Sequence, residues 1–352
     1  MTEDLIVRRE GAAGRITLNR PKALNSLTLD MVRGMQKALD AWRDDADVRI
    51  VLIDGAGEKA FCAGGDIRRL WESARDKDGH AETFWREEYI LNAAIKRYPK
   101  PYVALIDGIT MGGGVGVSAH GSHRVMTERT MFAMPETGIG FFPDVGGTHL
   151  LSHQPGEVGT YLALTGARLK GADVIYAGGA DAMVDAAVIE TLAGELCAAA
   201  YTAAAHEEVD AILDAHAIDP GLAPLGDVKP AIDRCFAFDR MEDILAALET
   251  EESEFAAATL KTLGQKSPTG LKLTLAGLRR ARAQSLETAL TMELRMSVRC
   301  LDSHDFSEGI RSVVVDKDHA PKWNPPRVAE VEDAAIEAFF APLGEGRDLG
   351  FR

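Results

Sequence analysis

Apolar and polar positions follow two different periods along the chain. Residues 5–9 and 15–18 alternate with a period of two around Gly11 and Gly14, which predicts an opening hairpin. Over 28–46 the period lengthens, with Leu29, Val32, Met35, Leu39 and Trp42 at helical spacing. Residues 50–53 form a short buried strand closed by Asp54-Gly55, 83–98 read as a helix, and 102–106, held between Pro101 and Asp107-Gly108, as another buried strand. Short helices are expected over 146–153, 158–165 and 170–177, and Met183-Val184 ends the alternating part. Strand and helix taking turns predict an α/β core with a mainly parallel sheet.

From Asp185 onward the composition shifts to Ala-rich helical stretches, interrupted by a Pro- and Gly-broken loop or linker over 219–226. Helices are expected over 239–248, 252–263, 267–283 and 286–301, with Ser267 capping a helix that starts at Pro268. The chain thus divides into a core, 1–190, and a helical C-terminal region, 191–352. No repeat of fixed period is present.

Bulk properties narrow the partners. The 352 residues are 46% hydrophobic, enough for a large core, and the formal net charge of −15 argues against nucleic acid or an anionic membrane. An anionic substrate therefore needs a local basic patch. The four cysteines lie far apart without paired spacing, so neither a zinc site nor a disulfide framework is expected. The opening Met1-Thr2-Glu3-Asp4-Leu5 lacks a basic segment followed by an apolar one, and no apolar run reaches the roughly 18 residues of a membrane span. These features lead to the expectation of a cytoplasmic protein.

The candidate chemistry lies in 101–147. Gly112, Gly113 and Gly114 stand where the strand 102–106 gives way to a helix expected over 115–120, leaving backbone N–H groups with no side chain to shield them. Unpaired donors at a helix start suit a developing oxyanion. Phe61-Cys62-Ala63-Gly64-Gly65-Asp66-Ile67 repeats the logic, a strand-like run meeting two glycines and a helix-starting Asp. Two carboxylates follow in apolar surroundings: Glu136 after Met134-Pro135, and Asp144 after Phe141-Phe142-Pro143.

Each feature also has a plainer explanation. The glycines permit close packing, and Asp144, before Val145-Gly146-Gly147, suits a helix cap. Glu136 before Thr137-Gly138 resembles a loop acid, although its flanks are apolar, and Glu88 beside Glu87 suits a solvated helix face. Residues 114–119 fit a loose G-x-G-x-x-A dinucleotide fingerprint, but mid-chain and opening too short a helix. Ser118 and His120 lack the G-x-S-x-G spacing of a nucleophile elbow, and the histidines at 120, 123, 149 and 153 show no metal-ligand pattern.

With these motifs in hand the chain resembles the crotonase (enoyl-CoA hydratase/isomerase) superfamily and, within it, the 3-hydroxyisobutyryl-CoA hydrolases. The resemblance is carried by Ile106-Asp107-Gly108-Ile109-Thr110-Met111-Gly112-Gly113-Gly114, Phe132-Ala133-Met134-Pro135-Glu136-Thr137, Phe142-Pro143-Asp144-Val145-Gly146-Gly147 and Ala163-Leu164-Thr165-Gly166. Toward the C-terminus it continues in Asp305-Phe306-Ser307-Glu308-Gly309-Ile310-Arg311 and Pro321-Lys322-Trp323. It implies a spiral of β-β-α units over about the first 190 residues, then helices.

The resemblance further implies that the N–H groups of Gly65 and Gly113 are the oxyanion donors. Coenzyme A would lie along Lys22, Ala23 and Leu24 and along Ala63, Gly65, Asp66 and Ile67, with Arg20, Lys22, Arg68 and Arg69 candidates for its phosphates. Hydratases of the superfamily carry two catalytic glutamates. Glu136 matches the second, but Gly116 stands where the first belongs, and Asp144 and Glu88 match acids of the hydrolase subgroup.

The expected reaction is hydrolysis of a short β-hydroxyacyl-CoA thioester, 3-hydroxyisobutyryl-CoA to 3-hydroxyisobutyrate and CoA, as in valine breakdown. Glu136 would attack the carbonyl or act as base toward water, and Asp144 would orient the substrate hydroxyl or that water. The alternative is a hydratase or isomerase of the same superfamily; remoter ones are a nicotinamide-dependent oxidoreductase and a non-catalytic CoA-ester-binding protein. No metal and no cofactor beyond the substrate's own CoA is expected. Superfamily members commonly assemble as trimers or pairs of trimers.

Overall fold

The computed structural model describes residues 3–351; Met1 and Thr2 of the opening pentapeptide read for a leader lie outside them. The alternating segments form β1 (Leu5–Glu10) and β2 (Ala13–Leu18), an antiparallel hairpin with Leu5 opposite Leu18 and Glu10 opposite Ala13. Then come β3 (Ile50–Gly55), β4 (Ala60–Cys62), β5 (Tyr102–Ile106), β6 (Ile109–Met111), β7 (His123–Thr127), β8 (Met131–Ala133) and β9 (Ala182–Val184). Six strands make one sheet in the order β1-β2-β3-β5-β7-β9, parallel from β2 onward; β4, β6 and β8 make a second, smaller sheet. The expected parallel α/β core is present.

The chain clusters into two compact units, each built from three segments. The first contains residues up to Gly65, Ile90–Phe132 and Leu169–Ala223. Its large sheet is covered on one side by the helices Ile189–Ala198 and Ala205–His216, where Ile50, Leu52, Val103, Leu105 and Val125 pack against Leu192, Leu196, Val209 and Leu213. The helix Leu29–Arg43, capped by the Thr28 side chain, buries Met31, Met35, Leu39 and Trp42. Gly14 is glycine because a Cβ there would collide with the Trp42 ring. The second unit contains Asp66–Tyr89, Ala133–Arg168 and the chain from Pro224 onward. Helices are its main secondary structure, and its longest buried faces belong to Pro268–Ala281 and Leu286–Cys300. Ser267 caps the former as expected, accepting from Gly270 N at 2.8 Å.

Helices 189–198 and 205–216 thus complete the first unit's core, where the sequence reading divides the chain once, at 190/191. β4 covers the strand-like run at Phe61-Cys62, whereas β6, β7 and β8 have no counterpart among the expected elements. β4, β6 and β8 are each three residues long, too short to show a period.

The glycine corner after β6 makes a testable demand on stability. Gly114 packs so closely on β4 that a Cβ would fall on the Cys62 carbonyl oxygen. Because backbone meets backbone, neither side can yield by changing rotamer. Gly114→Ala is expected to cost about 2 kcal/mol or more, read as a lower urea midpoint at unchanged slope.

Candidate active site

In the first unit, two glycine corners meet. β4 is followed by Ala63-Gly64-Gly65 with Gly64 at φ 109°, and β6 by Gly112 at φ 50°, conformations that favour glycine. A Cβ built on Gly64 would stand 3.7 Å from the Gly113 nitrogen. Gly113 opens the helix Gly113–Ser118, two residues before the start expected from sequence, so its N–H has no partner within the helix. Among the described residues neither the Gly65 nor the Gly113 N–H donates a hydrogen bond. The Lys22-Ala23-Leu24 turn is tied to the same corner, since Ala63 N donates to Leu24 O at 3.0 Å and Leu27 N to Gly64 O at 2.8 Å. Gly65, Gly113, Ala63 and the 22–24 turn are therefore neighbours.

The basic candidates differ in what they touch. Arg20 donates to the Ser26 carbonyl at 2.7 Å, while Lys22 is exposed. In the second unit, Asp66 caps the helix Ile67–Asp76 as expected and Ile67 is half-buried. Arg68 donates to Val314 O at 2.8 Å, and Arg69 pairs with Asp78.

The second unit also holds the three predicted acids, all buried: Glu88 is 2% exposed, Glu136 7% and Asp144 6%. Glu88 sits on the helix His80–Lys96 with Trp85 one turn earlier, so the solvated-face explanation is excluded. Glu136 opens the 3-10 helix Glu136–Ile139, and Phe141, whose N–H donates to the Glu136 carbonyl at 3.1 Å, stacks on Trp85 at 5.4 Å between centroids. Asp144 Oδ2 accepts from the Tyr89 hydroxyl at 2.7 Å. Among the described residues Glu88 Oε1 and Glu136 Oε2 are buried without a hydrogen-bond partner.

Burial sets the proton affinities. It pushes Glu136 well above the usual carboxylate range, helped by the charge of Asp144 and opposed by Lys266. Burial and then Asp144 likewise raise Glu88. Asp144 is pushed up to about 7 by burial, with the Tyr89 hydrogen bond working the other way. Carboxyls with raised proton affinity are suited to proton exchange with substrate or water.

Asp144 does not cap the helix Gly147–Ser152, which corrects the simpler explanation. That task falls to Glu293, fully buried on the helix Leu286–Cys300, which accepts from Gly146 N at 2.7 Å, Thr148 N at 3.0 Å and Thr148 Oγ1 at 2.5 Å. Glu293, Tyr89, Ser297 and Lys266 escaped the sequence reading. A signal was there for Glu293, an acid at the apolar register set by Leu286, Ala289 and Leu290.

The decoys are structural. The fingerprint glycines 114 and 116 lie inside the helix Gly113–Ser118, and Ser118 Oγ donates to Gly114 O at 2.7 Å. His149 and His153 lie ring against ring at 4.3 Å.

The family described as enoyl-CoA hydratase/isomerase matches residues 13–340. The chain belongs to that family. It is 46% identical to the mitochondrial 3-hydroxyisobutyryl-CoA hydrolase of Rattus norvegicus over 99% of this chain and 91% of that protein. It is also 46% identical to the Danio rerio protein of the same name, over 98% of this chain and 91% of the relative. A carnitinyl-CoA dehydratase structure from Mycobacterium thermoresistibile superposes with a TM-score of 0.93 at 47% identity, covering 100% of this chain and 99% of that one. The crotonase-type α/β fold with C-terminal helices is thereby established. The expectation of a cytoplasmic protein is overturned, because these hydrolase relatives are mitochondrial by name.

Two pH effects follow for this enoyl-CoA hydratase/isomerase family member. An unfolded Glu ionises near pH 4.3, and the folded Glu136 holds its proton to higher pH. Its contribution to stability is therefore full below that unfolded value and is lost as pH rises through the folded one. Glu136→Gln removes the loss, so its Tm at pH 8 should exceed that of the parent by about 2 °C or more, with the gap closing toward pH 4 by calorimetry. Tyr89→Phe removes the donor that favours ionised Asp144, so the acid limb of any activity that needs that anion should move up by about one pH unit.

Proposed function

We propose that the protein hydrolyses a short β-hydroxyacyl-CoA thioester, 3-hydroxyisobutyryl-CoA, to 3-hydroxyisobutyrate and CoA, a step of valine breakdown. The observation that carries the reading is the acid set itself. Glu136, Asp144 and Glu88 are all buried, while the position matching the first glutamate of the hydratases is Gly116. Relatives named for this hydrolysis share 46% of the sequence over nearly its whole length.

This reading gives the free Gly65 and Gly113 N–H groups the thioester oxygen, whose negative charge grows as the carbonyl carbon is attacked; such a donor contributes about 3 to 4 kcal/mol to the barrier. Glu136, ionised, takes a proton from water as the water oxygen bonds to that carbon. The tetrahedral intermediate collapses with cleavage of the C–S bond, and the departing thiolate takes the proton back from Glu136. The products are the free acid and CoA thiol, so atoms and charge balance without a cofactor. Asp144, held by Tyr89, orients the acyl hydroxyl or the attacking water, and Glu88 accepts from the same hydroxyl. The exposed Lys22 meets the CoA phosphates.

The dehydratase name of the structure at 47% identity motivates the competing reading, reversible addition of water to a 2-enoyl-CoA. Thiol release from 3-hydroxyisobutyryl-CoA and loss of enoyl absorbance from crotonyl-CoA, followed side by side, decide between them. Thiol release from the first alone is expected; absorbance loss without thiol release makes the protein a hydratase. Glu136→Gln should lower kcat for thiol release by about 100-fold or more while CoA-ester binding persists, and undiminished turnover removes Glu136 from the mechanism. Single turnover in ¹⁸O-water should leave no label on Glu136; label there shows an acyl-enzyme anhydride instead.

A further inference from the structure

The turn that follows Asp144 is strained. Val145 has φ 53° and Gly146 φ 82°. Glycine takes the left-handed region freely, whereas a β-branched residue there is a true outlier that persists when its surroundings over-determine it. Several holding contacts lie immediately beyond Val145. Gly147 N donates back to the Asp144 carbonyl at 2.6 Å, while Gly146 N and Thr148 N converge on the two oxygens of Glu293 at 2.7 and 3.0 Å. Thr148 Oγ1 adds a third donor.

One helical turn on, Ser297 Oγ stands 2.7 Å from the Tyr89 hydroxyl and 2.9 Å from the Glu293 carbonyl, and its single proton goes to Tyr89 when Tyr89 donates to Asp144. The Tyr89 hydroxyl does donate to Asp144. A single face of the helix Leu286–Cys300 thus holds the turn after Asp144 through Glu293 and the Asp144 carboxylate through Ser297 and Tyr89. A cap alone needs no such reach, since a Ser, Asp or Asn at position 146 would supply it locally.

We propose that Glu293 is a positioning residue. By gripping the amides of Gly146 and Thr148 it forces Val145 into the left-handed turn and so aims the Asp144 carboxylate at the acyl group. The role rests on the hydrolase reading above, but the grip itself does not.

Glu293→Gln keeps the side chain's size and one acceptor while turning an NH2 toward a backbone N–H. It should lower kcat for 3-hydroxyisobutyryl-CoA by roughly 10- to 100-fold with KM nearly unchanged. Amide hydrogen exchange over 144–148 should speed up. Adding Val145→Gly should recover about tenfold of the lost kcat relative to Val145→Gly alone, because glycine takes the turn unaided. Thr148→Val, which deletes a single donor, gives a milder loss in the same direction and serves if Glu293→Gln does not fold. Wild-type kcat in the folded Glu293→Gln variant, or a loss that Val145→Gly leaves untouched, overturns the positioning role. Unchanged exchange over 144–148 overturns the grip whatever reaction the protein runs. A wild-type protein that releases no thiol ends the hydrolase reading alone.

Discussion

Keeping carboxyl groups out of water is the constraint on which the second unit depends. Glu88, Glu136, Asp144 and Glu293 are each at least nine-tenths buried. Among the described residues none of the four is matched by an ion pair at hydrogen-bonding distance, and Lys266, which opposes the shift of Glu136, is itself half-buried and loses proton affinity through that burial. Ionising such a group costs far more than in water unless donors surround it. The protein meets this cost partly with protons, since burial raises the affinity of all four, and partly with donors supplied by a tyrosine, a threonine and two backbone amides.

The glycine corners of the first unit work from the opposite side. On the proposed reading their value lies in donors left free, and that requires backbone without side chains at a close crossing. Gly112, Gly64 and Gly114 supply it in different ways: the first two through left-handed φ, the third because a Cβ would strike the Cys62 carbonyl. Sequence made these corners visible because glycine clusters after an apolar run are punctuation of a recognisable kind. Glu136 and Asp144 were visible for a similar reason, as charges set in otherwise apolar stretches.

What stayed hidden was tertiary. The long helices, the opening hairpin, β3, β5 and the Ser267 cap follow from local period and capping chemistry, and all are present. β4, β6 and β8 are held by pairing with strands distant in sequence rather than by their own pattern. Glu88 looked like half of a solvated pair because Glu87 adjoins it, although its register with Trp85 marks the buried face of its helix. The partition of the chain behaves likewise. Composition changes near Asp185, yet the helices 189–198 and 205–216 bury Leu192, Leu196, Val209 and Leu213 with the sheet residues of the first unit.

The four buried acids differ most in how completely they are satisfied, and that difference sorts them. Glu293 has donors on both oxygens, so nothing remains for a ligand to complete; such a group is scaffold. Asp144 has one strong donor, Tyr89, which fixes its direction. Glu88 and Glu136 each keep an oxygen with no partner among the described residues, an arrangement that costs stability unless something else fills it. A substrate hydroxyl or water would complete both. On the proposed reading, the two least satisfied carboxyls are the ones a ligand would complete, and the order Glu293, Asp144, Glu136 would run from structural support to chemistry.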